Sequence, residues 1–562
     1  MILRRLYLYL VSAAALGLLA AGLSLLGATV LLFIFNDPSA DSSRAQLAIF
    51  TAMTVVAAPV WAVHFWFARR FAMRDPFERA SALRRLYLYF ACLVTALVAT
   101  QTLAYALAMA LQPVLDNQQG SWLTAAQLGW ATLVLVAIFA FHFWTAARDR
   151  AAVGEEGASA TLRRWYMYIA LLSGLLMMLT NTALLLQQSW AQLVVGPSTT
   201  AFPKGGGGGF VSALAFAAGP TIAGAVLWGF HARAIALRHL SDDRHSTLRA
   251  LAGFIAVANA MVYALFGASQ ILYYGLARLL GVSDPGGAGT NVLAAVGAPG
   301  SLLLVWGVAW FLVSRRLARD AGTQEADRQA GVRRLYTNLA ALVSLVVWAI
   351  GVGGLLWTLA EQLEAPIIGV QAHDWRDPVS LWVTLLVVGA GVWVAHWRPA
   401  PWAADRQSLS RKLYVWAALL GSILAVLGGG VGMLNSLLQQ VFSAHPRLND
   451  TNNLDFGHYL AVIVVAAGVG FYHWRVLRAD AASRPPRAAV APAPAAAAVA
   501  VVATPSAAKE AAPAAETLGP HARRYMLIVT DATDDDVHQA LAELPPHASY
   551  KLTPTEQTVD GR

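Results

Sequence analysis

The sequence predicts an all-α integral membrane protein of about twelve transmembrane helices in six tandem two-helix repeats, followed by a small cytoplasmic α/β tail of β-α-β form. Three observations predict it. Charged residues make up 13% of the chain and hydrophobic residues 57%, whereas ordinary soluble domains carry roughly 25% charge. Twelve stretches approach or exceed the roughly 20 apolar residues that span a bilayer. A basic pair followed by an aromatic recurs at Arg4-Arg5-Leu6-Tyr7, Arg84-Arg85-Leu86-Tyr87, Arg163-Arg164-Trp165-Tyr166, Arg333-Arg334-Leu335-Tyr336 and Arg411-Lys412-Leu413-Tyr414, with a degenerate Leu248-Arg249-Ala250. The second basic residues fall at 5, 85, 164, 249, 334 and 412, steps of 80, 79, 85, 85 and 78.

Taken in order, the expected helices are 6–35, 45–68, 86–113, 122–147, 165–195, 210–235, 250–280, 291–314, 335–363, 378–397, 413–443 and 457–477. They fall in pairs within units of about 1–80, 81–159, 160–244, 245–329, 330–407 and 408–481. The odd helices reach roughly 40 Å or more at 1.5 Å per residue, so they tilt or project beyond the hydrocarbon. The first has a basic start, but its apolar run from Leu6 to Phe35 is about twice a signal-peptide core and lacks an Ala-x-Ala site, which predicts a retained helix. Turn-rich segments follow odd helices: Asn36-Asp37-Pro38, Gly196-Pro197, Gly205–Gly209 and Asp284-Pro285-Gly286-Gly287. The glycine run predicts a flexible connector; a phosphate loop needs its lysine after the glycines, and Lys204 precedes them.

Residues 482–517 are dominated by Ala and Pro, the composition of a disordered, partly extended linker. Beyond it, Arg524–Val529 has strand character, Thr533 to Leu544 helix character, and Tyr550-Lys551-Leu552 strand character again. Asp534, Asp535 and Asp536 suit the helix N-terminus, where negative charge meets the dipole.

Loops after odd helices hold only Arg44, Lys204, Arg376 and Arg447, while those after even helices are rich in arginine. The positive-inside rule then places the N-terminus and C-terminus in the cytoplasm of a multi-pass protein of a bacterial inner (plasma) membrane. The net charge of +9 is spread over those loops rather than gathered on one face, which argues against nucleic acid as a partner. Cys92 is the only cysteine, so an intrachain disulfide framework and a Cys-x-x-Cys pair are excluded. No nucleophile elbow, His-Glu-x-x-His, P-loop or dinucleotide fingerprint is present, so no enzymatic activity and no resident cofactor are expected.

Five even helices end in an aromatic-histidine motif: Trp61 to His64, Phe139 to His142, Trp228 to His231, Trp393 to His396 and Phe471 to His473. The fourth reads Trp306-Gly-Val-Ala309. Histidines at one membrane level are candidates for haem, quinone or proton transfer. Their closeness to the arginine-rich end favours structural pinning instead, each imidazole bonding across units to an Arg-x-Tyr opening or to a helix C-terminal carbonyl. The openings themselves suit headgroup anchoring. Deeper polar residues, Asn181, Asn259, Asn435, Gln101 and Gln270, suit helix-to-helix bonds, with the three asparagines as the candidates for a solute site. Pro59, Pro220 and Pro299 interrupt even helices, and Gly351-Val-Gly353-Gly354 and Gly428-Gly429-Gly430-Val-Gly432 allow close approach; the last could instead unwind around a ligand.

The Arg-Arg-Leu-Tyr-Leu-Tyr openings, the closing His473-Trp-Arg-x-x-x-x-Asp480 and the paired-helix period resemble a bacterial multi-pass membrane repeat family catalogued as domain of unknown function 5671. The resemblance covers about residues 1–480 and implies the fold alone, since the family brings no activity or site residues. The third unit lacks the closing Trp, and the fourth lacks both histidine and full opening. The function these observations favour is a non-enzymatic membrane scaffold or sensor, with membrane lipids around it and a cytoplasmic protein captured by the tail. The alternatives are a transporter or channel for a neutral or apolar solute, and a redox protein binding haem or quinone near the histidines.

Overall fold

The structure, a computed structural model, describes residues 2–116, 121–194, 210–237, 246–321, 327–369, 371–397, 406–442 and 455–482. Twelve helices among them are long and apolar enough to cross a membrane. They are α1 (Ile2–Ile34), α2 (Arg44–Arg74), α3 (Ala82–Asp116), α4 (Ser121–Val153), α5 (Gly157–Val194) and α6 (Phe210–Leu237). Then follow α7 (Thr247–Leu279), α8 (Gly297–Ala321), α9 (Asp327–Ile368), α10 (Arg376–His396), α11 (Leu409–Phe442) and α12 (Asp455–Ala482). The chain is a multi-pass, all-helical membrane protein through this region. It divides into two units, Met1–Arg487 and Ala488–Arg562. The expected linker, the β-α-β segment and the Gly205–Gly209 connector lie outside the described residues.

Several helices begin earlier than their apolar runs: α5 at Gly157 rather than 165, α9 at Asp327 rather than 335. Hydropathy marks contact with lipid, whereas Arg, Leu and Ala are all strong helix formers, so the helix continues through the basic openings. At 42 residues, α9 is about 63 Å long, twice the hydrocarbon thickness.

The connections follow local chemistry. Asn36 ends α1 in the left-handed region at φ 51°, which asparagine tolerates. The Asp37 carboxylate then accepts the Ser39 hydroxyl at 2.6 Å and its N–H at 2.9 Å. Those bonds, the hydroxyl's first, hold the Asp37 carboxyl below its ordinary range. Asp75 caps the short helix Pro76–Arg79 by accepting the Phe77 N–H at 2.9 Å. Pro299 lies in the first turn of α8, where its missing N–H has no helical partner to lose; it is not an interruption.

Each odd helix from α1 to α9 packs against the even helix that follows it, against the next even helix, and against the next odd helix, and α11 packs against α12. Small residues set the closest approaches. A Cβ on Gly174 of α5 would lie 2.6 Å from the Trp228 nitrogen of α6, and one on Gly224 would lie 2.7 Å from the Met178 nitrogen. Gly351 of α9 meets the Leu386 backbone of α10, and Gly432 of α11 lies under the Tyr459 ring of α12. The helix α11 runs unbroken through Gly428–Gly432, so that cluster serves close packing, as at other small-residue interfaces in lipid, and does not unwind. Outward, Leu420, Ile423, Leu427, Val431 and Leu434 form an exposed apolar stripe on α11, a surface suited to lipid rather than water.

Candidate functional site

The five histidines occupy one repeated environment at the basic end of the helices. In each hairpin the imidazole Nδ1 meets the carbonyl four residues back on its own helix, at 2.7–2.9 Å for His64, His142, His231, His396 and His473. A carbonyl only accepts, so Nδ1 carries the proton in every case. The other nitrogen, Nε2, meets the hydroxyl of the tyrosine that opens the same hairpin. The distances are 3.3 Å for Tyr7–His64, 3.1 Å for Tyr87–His142, 2.8 Å for Tyr166–His231, 3.4 Å for Tyr336–His396 and 2.9 Å for Tyr414–His473. The bond therefore closes each of these five hairpins on itself, where bonding across units was expected. The reason is antiparallel geometry: the opening of the odd helix and the end of the even helix lie at the same level.

A second layer of polar contacts lies beyond the tyrosines. Arg84 donates to Asp149 at 2.7 Å, Arg411 to Asp480 at 2.7 Å, and Arg249 to Asp320 through two bonds of 2.8 Å. Arg4 and Arg5 converge on Glu78, and Arg163 approaches Glu155 at 3.3 Å. Arg84 and Arg85 are 2% and 0% exposed; Arg85 donates to the Ala146 carbonyl at 3.1 Å. Headgroup anchoring is thus not what these buried arginines do, because a buried guanidinium needs a carboxylate or carbonyl at once. Other arginines lie over outward-facing rings: Arg70 over Trp66, Arg148 over Trp144 and Arg315 over Phe311, each ring about half-exposed. The closing motif contains Asp480, but the sequence does not by itself assign it, or Asp149, as an arginine's partner. A signal was present, since Asp149 and Asp480 each fall seven residues after the closing histidine.

Two stretches of the chain, residues 5–136 and 334–469, match the family model described as Domain of unknown function (DUF5671). No curated protein and no solved structure matches the chain. Each DUF5671 segment contains one full Tyr–His pair, and each contains a further donor. Trp61 donates its indole N–H to Tyr87 at 3.1 Å, and Trp393 donates to Tyr414 at 2.9 Å. These two bonds do run from one hairpin to the next. With Nδ1 protonated and Nε2 accepting, the order is indole to phenol to imidazole to carbonyl, and every hydrogen in it has an acceptor. His142, His231 and His473 are essentially fully buried, and both nitrogens of all five histidines are engaged. A haem iron would have to displace a tyrosine from Nε2. Among the described residues no group of three or more His, Cys, Asp or Glu could hold a metal ion.

The asparagine candidates do not assemble a site. Asn181 and Asn259 donate to the carbonyls of Met177 and Ile255 on their own helices at 2.8 and 2.9 Å, and Asn435 is exposed. A carbonyl one turn back on the same helix satisfies an amide in lipid without any partner helix. Helix-to-helix bonds instead come from residues at contact points: Gln127 to the Ala28 carbonyl, Trp130 to that of Leu23, and Thr132 to Thr102, all at 2.9 Å.

At the opposite end of α9, Glu361 takes the His373 Nδ1 at 2.5 Å, Gln362 donates to the His373 carbonyl at 2.9 Å, and Trp357 stacks on His458 with centroids 3.7 Å apart. Glu361 and Gln362 thus form a polar cluster with His373 at this end of α9.

Proposed function

We propose that this chain is a non-enzymatic membrane scaffold or sensor of a bacterial inner membrane. Both termini lie in the cytoplasm, and the segment beyond residue 482 recruits a cytoplasmic protein. In this reading the six hairpins are copies of one unit, bounded as at 1–80 through 408–481, and the tail comprises an Ala/Pro linker and a β-α-β segment at 518–562. The observation that carries it is the closure of the polar groups on one another. Among the described residues, Trp61, Tyr87, His142, Arg84 and Asp149, and likewise Tyr414 and His473, are engaged with one another at the basic end, an arrangement suited to holding helices together. Support for a rigid scaffold also comes from the close glycine contacts between helices. A solute path through Asn181, Asn259 and Asn435 loses its support, because two of these amides bond their own helices.

The test is co-purification of the full-length chain against a chain lacking residues 482–562, both inserted in native membranes. Loss of a stoichiometric cytoplasmic protein, with insertion unchanged, is the expected result. Capture that survives the deletion would sink the recruitment role.

A further inference from the structure

Hairpin four departs from the others in a way that leaves space. Its Arg249 pairs with Asp320 as Arg84 pairs with Asp149 and Arg411 with Asp480. Phe254 stacks on Tyr336 just as Tyr9 neighbours Tyr87 and Tyr89 stacks on Tyr166. Arg249 therefore stands at the first basic position of the opening, which puts Ala252 where Tyr87 and Tyr414 stand. On α8, Ala309 holds the histidine position of the aromatic motif, and Val313 falls seven residues before Asp320. In either register no imidazole is available.

The missing tyrosine and histidine are not replaced by other bulk. A cavity of about 510 Å³ opens there, bordered by Tyr168, Ala252, Gly253, Ala309 and Val313. That is within the roughly 300–1,000 Å³ range of small-molecule sites. Leu304, Val308 and Leu312 on its border are each more than half-exposed, so the opening faces sideways, into lipid. Polar groups gather at the basic end: Arg249, Asp320 and Arg316. Arg249 and Asp320 offset one another, and Arg316 is exposed, so the described lining carries one net positive charge.

We propose that this cavity holds an acyl chain of an anionic phospholipid, with the lipid phosphate at Arg316. The apolar lining accepts a hydrocarbon chain that enters from the bilayer. The arginine at the interface supplies the anion partner. A second cavity of about 560 Å³, bordered by Tyr273, Gln270 and Tyr336, has no arginine; it is the internal comparison, able to take a chain but not to select a phosphate. The assignment goes beyond the scaffold reading and stands whatever the tail recruits.

The experiment is native mass spectrometry of the full chain released from nonionic detergent, titrated separately with dioleoylphosphatidylglycerol, dioleoylphosphatidylcholine and inorganic phosphate. The expected result is one phosphatidylglycerol retained at least tenfold better than phosphatidylcholine, with no retention of inorganic phosphate. Ala252→Phe, which fills the cavity, should lose that lipid. Arg316→Gln should keep a lipid but lose the preference for phosphatidylglycerol. Because Arg316 is on the surface, its variant carries the test if Ala252→Phe does not fold. Unchanged retention and preference in Arg316→Gln would overturn the proposal, as would binding of inorganic phosphate alone or the absence of any preference in the parent chain.

Discussion

Replacing Tyr414 by phenylalanine removes one oxygen and two hydrogen bonds while leaving the ring in place. The Trp393 indole donates to that oxygen at 2.9 Å, and the oxygen meets His473 Nε2 at 2.9 Å. The Trp397 ring, 4.4 Å away between centroids, keeps its contact in the variant. His473 is 0% exposed, so no water reaches the stranded nitrogen, whereas half-buried Trp393 recovers a partner more readily. Leaving one buried acceptor unmade costs about 1–3 kcal/mol. Ordinary side-chain bonds between membrane helices are worth nearer 0.6 kcal/mol, because the unfolded chain in lipid also finds partners. The stranding effect decides here, since the imidazole stays buried in the variant. The expected loss is therefore about 2 kcal/mol, roughly a 30-fold shift in the unfolding equilibrium. Reversible unfolding in mixed micelles, followed by circular dichroism, measures it. His473→Leu combined with Tyr414→Phe should cost about 1 kcal/mol less than the sum of the single losses, because both partners have then gone. Tyr7→Phe, at an exposed tyrosine with a 3.3 Å contact, should lose under about 0.5 kcal/mol. Equal losses at Tyr7 and Tyr414, or strict additivity in the double variant, would refute the reasoning.

Asp149→Asn leaves Arg84, only 2% exposed, without its carboxylate and should cost about 3–5 kcal/mol, read as a collapse in folded yield after detergent extraction; Asp41→Asn, at a highly exposed pair, should leave yield unchanged. Gly224→Leu should separate α5 from α6 and lower the midpoint of thermal aggregation by several degrees, because even a Cβ would sit 2.7 Å from the Met178 nitrogen, whereas Gly229→Ala has nothing within 4 Å and should be neutral. Added haem should give no Soret shift that depends on His142, His231 or His473, since both nitrogens of each are engaged; a histidine-dependent shift in absorbance spectra would reopen ligation.

Much of the fold is legible in the chain because a bilayer imposes so few solutions. Apolar length and the recurring basic-aromatic openings identify twelve helices and their pairing, since only helices satisfy the backbone in lipid without neighbours. The direction of the polar contacts was harder to read. Tyr87 and His142 lie 55 residues apart, and spacing alone does not say whether that tyrosine meets its own hairpin's histidine or another's. The antiparallel packing decides. Asp149 was overlooked because one carboxylate near several arginines in a loop reads as solvated charge, and only the helix extending through the loop brings it under Arg84. Asn181 and Asn259 misled for the converse reason: a polar residue in an apolar run suggests a partner across the interface, yet a carbonyl one turn away lies closer than any neighbouring helix.

The same logic accounts for the residues of hairpin four. An isolated loss of the tyrosine would strand a buried imidazole, and an isolated loss of the histidine would strand a hydroxyl. Removing both at Ala252 and at Ala309 or Val313 avoids each penalty, because replacing both partners by apolar groups costs far less than removing one. Arg249 and Asp320, by contrast, are retained as a pair, since losing either member alone would leave an unpaired charge. The hairpin thus lacks both partners of the neutral polar contact and has both partners of the ionic one. The volume released there lies beside Arg316, and that juxtaposition fits an amphiphile with an apolar chain and an anionic head.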